Sequence, residues 1–290
     1  MKSKKVLILG ASGLLGRALS EAFASDFEVY AWDRPQIDVT NREEVFEKIS
    51  SLGPGIVINA AAYNDVDKIE TDPASYQLAK AVNSEAVGYI AECASKIGAA
   101  MVHYSTDYVF AGDDKKGYDE QSKPNPISKY GETKAAGERQ LQQHTDRFYL
   151  IRLSRLFGLV GDSQSSKKSF VDKIVQLANQ RKELQIVDEE SSCSTYSVDL
   201  ARFTLNLIKQ KMPFGIYHGS NSGTSTWYGL AKEVLRLKKI DVKVTPIKSV
   251  EYPRAARRPM FSELINTKLP KQRSWQEALG EYLKISEHIN

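Results

Sequence analysis

Cysteine is scarce in this chain, with only Cys93 and Cys193 among 290 residues. Two widely separated cysteines form neither a disulfide framework nor the clustered spacing of a zinc site. The chain also lacks an apolar run near the ~20 residues that a membrane-spanning helix requires. These absences exclude a small disulfide-rich domain. They predict a cytoplasmic protein that neither spans a membrane nor holds a metal.

Neither sign of charge is in large excess. The 40 basic and 36 acidic residues leave a net charge of +4, and the basic residues are spread along the chain, most densely at 254–258. A nucleic-acid-binding surface needs a larger basic patch interleaved with aromatic residues. We therefore expect no nucleic-acid partner, and the basic cluster suits a small anionic ligand better.

The first half of the chain alternates short apolar runs with helical patterns. Its first run, VLIL, is too short for a signal peptide and ends at a glycine, which favours a buried strand. Short apolar strands separated by helices are typical of a parallel sheet covered on both faces. The pattern predicts a Rossmann-type α/β fold with a doubly wound parallel sheet. The predicted strands are 5–9, 28–32, 56–59, 100–104 and 148–152, and the predicted helices are 14–24, 42–52, 73–97 and 126–143.

The rhythm changes after Arg155, where a polar loop at 161–169 interrupts the alternation. We expect a Rossmann domain at 1–155 and a smaller C-terminal substrate-binding lobe at 156–290, interleaved with the sheet rather than joined by a clean linker. The predicted helices of this part are 169–181, 197–210 and 226–238, and the predicted strands are 184–187, 215–218 and 242–246.

A glycine loop, GASGLLG, lies directly between the first predicted strand and helix. Glycines there let a backbone approach a pyrophosphate, and the helix N-terminus supplies N–H groups and a positive dipole end. The spacing is one residue longer than the usual GxGxxG, and a merely tight turn is the alternative. The predicted cofactor contacts are Gly10, Ser12, Gly13, Leu14, Leu15 and Gly16.

The second strand ends in Asp33 and Arg34, about where the cofactor ribose is recognised. An acid there hydrogen-bonds a ribose hydroxyl and favours NADH, whereas an arginine favours the 2′-phosphate of NADPH. The sequence offers both residues, which could also simply pair with each other, so the predicted cofactor is NADPH or NADH. Further predicted cofactor contacts are Asp38 and Val39 near the adenine and Ala60, Ala61, Ala62 and Tyr63 after the third strand.

Three side chains with complementary chemistry are predicted to converge near this loop. Thr106 follows a buried strand, at the carboxyl end where open α/β sheets bind ligands. Tyr130 and Lys134, in SKYGETK, lie one helical turn apart. A phenol is a poor acid at neutral pH, but a nearby lysine stabilises its anion. The trio could therefore protonate a carbonyl oxygen, unless Tyr130 and Lys134 are an ordinary surface pair.

GASGLLG, NAAA, STDYVF and YGETK together resemble the extended short-chain dehydrogenase/reductases. More narrowly, the chain resembles their dTDP-4-dehydrorhamnose reductase group along nearly its whole length. The resemblance implies Thr106, Tyr130 and Lys134 as the catalytic residues, with the latter two also contacting the cofactor. It implies NAD(P)H-dependent reduction of the 4-keto group of a nucleotide-linked 6-deoxyhexose, namely dTDP-4-dehydro-L-rhamnose to dTDP-L-rhamnose. The predicted substrate contacts are Val66, Thr106, Asp107, Tyr130, Arg155 and Arg258.

Two positions depart from the group's pattern. Arg155 stands where members often carry a tryptophan that packs on the sugar, and Ala18 stands where some carry a magnesium-binding glutamate. We therefore predict no metal site and leave the exact sugar open. Asp107 could cap a turn, and Arg258 could belong to a solvated loop. The alternatives for function are a related 4-keto sugar-nucleotide reductase giving another deoxysugar and a non-catalytic NADP-binding regulatory subunit. The chain is expected to be a monomer or a homodimer.

Overall fold

A computed structural model describes residues 4–161 and 168–287. Its strands are β1 Lys5–Leu9, β2 Glu28–Trp32, β3 Ile56–Asn59, β4 Ala100–Thr106, β5 Phe148–Leu153, β6 Leu156–Phe157, β7 Glu183–Val187, β8 Ser192–Cys193, β9 Thr195–Tyr196, β10 Gly215–His218, β11 Thr224–Ser225 and β12 Lys243–Ile247. Its helices are α1 Leu14–Phe23, α2 Arg42–Leu52, α3 Val66–Thr71, α4 Pro73–Lys80, α5 Ala86–Lys96, α6 Lys129–His144, α7 Phe170–Ala178, α8 Ser197–Lys209, α9 Trp227–Lys238 and α10 Trp275–Glu287.

Six strands form one parallel sheet in the order β10-β5-β4-β3-β1-β2. One apolar core lies between this sheet and α1 with α8, and a second core lies on the opposite face beneath α2 and α5. The strand order reverses between β1 and β3, which opens a crevice at their carboxyl ends. The predicted doubly wound sheet is therefore confirmed.

A third apolar core belongs to the second half of the chain. It packs α7, α9 and α10 against the two-stranded pair of β7 and β12. The second half nevertheless contributes β10 to the edge of the central sheet, and α8 packs on α1. The division into domains at 155/156 stays a prediction. Strand β10 is the part of the second half that interleaves with the central sheet.

The predicted strands lie close to the observed ones, whereas two predicted helices differ in detail. The helix predicted at 73–97 is interrupted by a π turn at Ala81–Glu85, which separates α4 from α5. The helix predicted from 126 begins at Lys129, because the Ser128 hydroxyl accepts the Gly131 N–H and caps it. The two prolines that precede Ser128 lie outside the helix.

Several elements were missing from the prediction. The short strands β6, β8, β9 and β11 have two residues each, too few to produce a periodic pattern. Helices α3 and α10 were also missed. The predicted polar loop at 161–169 falls mostly outside the described residues. Within the described part of the chain, none of the helices has the length and hydropathy needed to cross a bilayer.

Close backbone packing between α6 and the π turn generates a testable prediction. A Cβ on Gly137 would lie 2.1 Å from the Asn83 carbonyl oxygen, whereas a Cβ on Gly280 of α10 meets nothing within 4 Å. Gly137→Ala should therefore lower the free energy of unfolding by ~1–3 kcal/mol through overpacking. Gly280→Ala should raise it by ~0.5–1 kcal/mol through helix propensity. Urea denaturation measures both, and a stabilising Gly137→Ala would show that the helices are not in this contact.

Candidate active site

The glycine loop is built so tightly that two of its glycines cannot carry a side chain. Gly10 has φ +74°, and a Cβ there would lie 2.7 Å from the Ala61 nitrogen. A Cβ on Gly16 would lie 2.2 Å from the Gly10 carbonyl oxygen. Gly13 is different, because its Cβ position meets only that same carbonyl, at 3.3 Å.

The loop leads directly into the first turn of α1. Gly13 is the N-cap of the helix, and no side chain caps it. Leu14 begins the helix. The Leu15 side chain packs into the core, so a ligand could contact only the backbone of Leu15. Open backbone N–H groups at a helix N-terminus, beside a glycine without a Cβ, fit the pyrophosphate of a dinucleotide.

Asp33 anchors the glycine loop. One of its carboxylate oxygens accepts hydrogen bonds from the Ser12 hydroxyl and, at 3.0 Å, the Ser12 N–H, while the other accepts the Arg34 N–H at 2.8 Å. Burial works to raise the pKa of Asp33, but these hydrogen bonds outweigh burial and hold the pKa below its usual value. The Arg34 side chain is exposed at the same edge. Both residues therefore lie at the carboxyl end of β2 beside the glycine loop, with the carboxylate already partly engaged, and their contact with a cofactor ribose stays a prediction.

The other predicted cofactor residues of this edge have local roles. Asp38 accepts the N–H and hydroxyl of Thr40, at 2.9 and 2.7 Å, and so shapes a turn. Val39 packs partly against the core. That Asp38 and Val39 also contact the adenine stays a prediction.

Asn83 fixes the segment after β3, and sequence reasoning missed it. Its side-chain oxygen accepts the Tyr63 N–H, and its amide donates to the Tyr63 carbonyl, both at 2.9 Å. The same amide donates to the Thr133 hydroxyl of α6 at 3.1 Å. Asn83 thus joins the Ala60–Ala62 segment, which faces the glycine loop, to the helix that carries Tyr130 and Lys134. A polar residue in the middle of an apolar helical pattern was the available signal.

The structure brings Thr106, Tyr130 and Lys134 together. Thr106 ends β4, and the Lys134 ammonium donates to the carbonyl of Tyr104 on the same strand at 2.7 Å. Burial lowers the pKa of Lys134 to about 8. Tyr130 is partly exposed, and the ring of Tyr108 meets it edge-on at 5.7 Å between centroids.

The surroundings of the Tyr130 phenol raise its pKa. Burial raises its pKa and the charge of Asp107 raises it further, while a side-chain hydrogen bond with Thr106 acts in the opposite direction. A phenol in this state can donate a proton only to a group that gains negative charge beside it. Three side chains thus form one polar group at the carboxyl end of the sheet: Tyr130 and Lys134 from α6 and Thr106 from β4.

Asp107 is buried and ties three segments together. It accepts hydrogen bonds from the hydroxyls of Thr106 at 3.1 Å, Ser192 at 3.0 Å and Ser262 at 2.7 Å. Burial raises its pKa, and the two serines oppose that shift. The turn that follows is capped by Thr106, whose hydroxyl accepts the Tyr108 N–H at 3.2 Å. A substrate contact by Asp107 stays a prediction.

Arg155 adopts a left-handed backbone conformation, with φ +43°. Its guanidinium donates to the carbonyls of Ser225 and Glu190, each at 2.7 Å, and lies 4.1 Å from the centre of the Trp227 ring. The Trp227 indole in turn donates to the Glu190 carboxylate at 2.9 Å. Arg155 is therefore stacked and anchored, and it brings a cation close to Asp107.

Arg258 belongs to an ion pair rather than to a solvated loop. Its guanidinium binds both carboxylate oxygens of Asp67 at 2.7 and 2.6 Å, and the Ala256 N–H donates to the same carboxylate at 3.0 Å. Asp67 is in the first turn of α3, which begins at Val66. The pair joins α3 to the basic 254–258 segment. Val66 and Arg258 are therefore close to each other, and their contact with a substrate stays a prediction.

Ala18, the residue on which the prediction of no magnesium site rests, is buried in α1. Among residues 4–161 and 168–287, no three His, Cys, Asp or Glu side chains are grouped as a metal site requires.

The parallel sheet, the glycine cradle and the polar group beside it define a Rossmann-type protein of the extended short-chain dehydrogenase/reductase class. The family described as "RmlD substrate binding domain" matches residues 4–287. A dTDP-4-dehydrorhamnose reductase of Aggregatibacter actinomycetemcomitans is 34% identical over 98% of this chain and 99% of that protein. The chain belongs to the RmlD substrate-binding domain family.

Two solved structures have the same fold along their whole length. The crystal structure of a dTDP-4-dehydrorhamnose reductase from Clostridium acetobutylicum is 36% identical, with a TM-score of 0.91 over 98% of this chain and 99% of that one. The enzyme from Bacillus anthracis, crystallised in complex with NADP, is 32% identical, with a TM-score of 0.91 over 98% of this chain and 100% of that one.

Proposed function

We propose that this protein is an NAD(P)H-dependent reductase of the 4-keto group of a nucleotide-linked 6-deoxyhexose, converting dTDP-4-dehydro-L-rhamnose to dTDP-L-rhamnose. Family membership and full-length similarity to named dTDP-4-dehydrorhamnose reductases support this function. The observation that carries it is the convergence of Thr106, Tyr130 and Lys134 in a sheet whose first strand ends in a tight glycine loop, where Gly10 and Gly16 have no room for side chains.

The cofactor-binding residues fit NADPH or NADH. The N–H groups of residues 10–13 are bonded within the protein, so those of Leu14, Leu15 and Gly16 in the first turn of α1 would hold the pyrophosphate. Asp33 and Arg34 would read the adenosine ribose, and the alanines at 60–62 would leave room beside it. Tyr130 and Lys134 would face the nicotinamide end. The cofactor, when bound, supplies the hydride.

The protein's own residues supply the proton and the charge balance. The Tyr130 phenol donates its proton to the carbonyl oxygen of the sugar. The Thr106 hydroxyl, which donates to Asp107 in this structure, would turn to donate its hydrogen bond to the same oxygen. The Lys134 ammonium stabilises the phenolate that remains, since opposite charges attract strongly where water is excluded. The Tyr104 carbonyl of β4 accepts a hydrogen bond from this ammonium and holds it in the interior, one helical turn from Tyr130.

The second half of the chain is proposed to hold the nucleotide sugar. Asp107 and the stacked Arg155 would lie on the substrate side of Thr106. Arg258 would bind a phosphate of the substrate in exchange for its ion pair with Asp67. Val66 begins the helix that pairs with Arg258. In this role residues 1–155 bind the cofactor and residues 156–290 bind the substrate. A cytoplasmic monomer or homodimer suits an enzyme of this kind.

Two alternatives differ in observable ways. A related reductase giving another deoxysugar would use the same residues, and Arg155 in place of the group's usual tryptophan is the feature that favours it. A non-catalytic NADP-binding regulatory subunit would bind cofactor without oxidising it. The polar group of Thr106, Tyr130 and Lys134 argues for turnover.

Tyr130→Phe tests the proton donor. Removing a general acid should lower turnover by ~10²-fold or more and leave cofactor binding intact. The matched control is Tyr149→Phe on β5, whose hydroxyl donates to the Met212 carbonyl at 2.7 Å, away from Thr106. Cofactor oxidation with a 4-keto nucleotide sugar, together with a circular dichroism check of the fold, measures both. Near-normal turnover of folded Tyr130→Phe would remove the phenol from the mechanism.

Arg34→Ala tests how the ribose is recognised. The parent should use both NADH and NADPH, because carboxylate and guanidinium are adjacent. The variant should bind NADPH more weakly by ~10-fold or more and change NADH binding little, since only NADPH carries the 2′-phosphate. Arg42→Ala, which removes a nearby exposed arginine paired with Glu92, is the control. Titration of cofactor fluorescence gives the affinities of all three proteins for both cofactors, and equal losses for NADH and NADPH in Arg34→Ala would exclude Arg34 from the 2′ site.

A further inference from the structure

An ion pair lies in the interior between α6 and β5. The Arg152 Nε and Nη2 donate to the two carboxylate oxygens of Glu138 at 2.9 and 2.7 Å. The two side chains are only 1% and 2% exposed. Breaking such a pair by removing one partner leaves an uncompensated charge in the interior, so its geometry is strongly enforced.

The position of Glu138 connects the pair to the proposed proton donor. Tyr130, Lys134 and Glu138 follow each other at intervals of four on α6, so the three side chains share one face of the helix. Glu138 is therefore one turn beyond the ammonium that is proposed to stabilise the phenolate.

The position of Arg152 connects the pair to the strand that carries Thr106. On β5, Arg152 is in register with Ser105 of β4, the residue immediately before Thr106. Its guanidinium also lies 5.0 Å from the centre of the Phe110 ring, and Phe110 closes the turn that follows Thr106. Arg152 thus supports that segment on both sides of Thr106.

We propose that Glu138 and Arg152 are positioning residues for the reductase reaction: they hold α6 against β5 so that Tyr130 meets Thr106, and the Glu138 carboxylate keeps Lys134 charged. The proposal deepens the proposed function and rests on it. Neither side chain is assigned a contact with substrate or cofactor.

The surroundings of Lys134 show why a carboxylate matters there. The nearest titratable side chain of β4 is His103, which is fully buried; burial and the charge of Lys134 hold its pKa well below its usual value, so the imidazole is neutral and adds no charge. On α6 Lys134 faces the Tyr130 phenol and Glu138, and on β5 the positive Arg152 is occupied by Glu138. Asp107, on the Thr106 side, acts on the Tyr130 phenol, whereas the Glu138 carboxylate acts to raise the pKa of Lys134 against burial.

The sign of the pH effect follows. With Glu138 present, the pKa of Lys134 is about 8, so the ammonium is lost as the pH rises through that value. Without the carboxylate, burial acts unopposed and the pKa falls further. The alkaline limb of the turnover profile should then move to lower pH.

Three variants separate charge from position. Glu138→Gln keeps the shape of the side chain and removes its charge, while Arg152→Lys keeps the charge and removes the two-pronged geometry. Leu141→Ala is the stability-matched control, because it removes a fully buried apolar side chain from the same helix. Melting temperature, turnover against pH and KM are measured for all three.

A second measurement does not depend on turnover. In protein labelled with 13C at the lysine Cε, the resonance missing from Lys134→Met identifies Lys134, and its chemical shift reports protonation. We expect Glu138→Gln to lower the titration midpoint by about one pH unit and turnover by ~10-fold. Arg152→Lys should lower turnover by ~10-fold with the midpoint unchanged. Leu141→Ala should lower the melting temperature alone.

The outcomes are distinguishable. A Lys134 midpoint and a turnover equal to those of the parent in Glu138→Gln would overturn the charge role. Parent-like turnover in Arg152→Lys would overturn the geometric role, and so would equal effects in Leu141→Ala. A parent protein that turns over no 4-keto sugar would instead overturn the proposed function, and the titration of Lys134 would still decide the role of Glu138.

Discussion

The hydrogen bond from the Lys134 ammonium to the Tyr104 carbonyl is the contact on which the proposed active site depends. A buried ammonium is costly unless its protons are accepted, so this 2.7 Å contact ties α6 to β4 at one depth and one rotation. Tyr130, one turn earlier, is thereby brought to Thr106 at the end of the same strand. Close packing reinforces the contact, since α6 crosses the π turn at a glycine with no room for a side chain.

A second set of contacts links the glycine loop to that helix. Gly10 and Gly16 let the loop fold back on itself and on the end of β3, and Asp33 anchors it through Ser12. Asn83 joins the segment after β3 to Thr133 of α6. The crevice is therefore bounded by elements that are bonded to one another, so both of its walls are set before any ligand binds.

The sequence predicted the sheet and the polar trio because both leave local signals. Apolar runs separated by helical patterns define the strands, and the spacing of Tyr130 and Lys134 defines a helix face. Asp107, by contrast, meets Ser192 and Ser262, which are 85 and 155 residues away in the chain. The stacking of Arg155 on Trp227 and the role of Asn83 are equally non-local. No periodicity records such contacts, which is why the substrate side was predicted as candidate residues without an arrangement.

The most direct test of the account follows the hydride to the sugar. The protein is incubated with 4-deuterated NADPH or NADH and dTDP-4-dehydro-L-rhamnose, or with a panel of related 4-keto nucleotide sugars, and the products are analysed by NMR. The account predicts oxidised cofactor and a deuterium at C4 of dTDP-L-rhamnose. Cofactor that binds but is not oxidised with any sugar of the panel would contradict it and would favour a regulatory subunit.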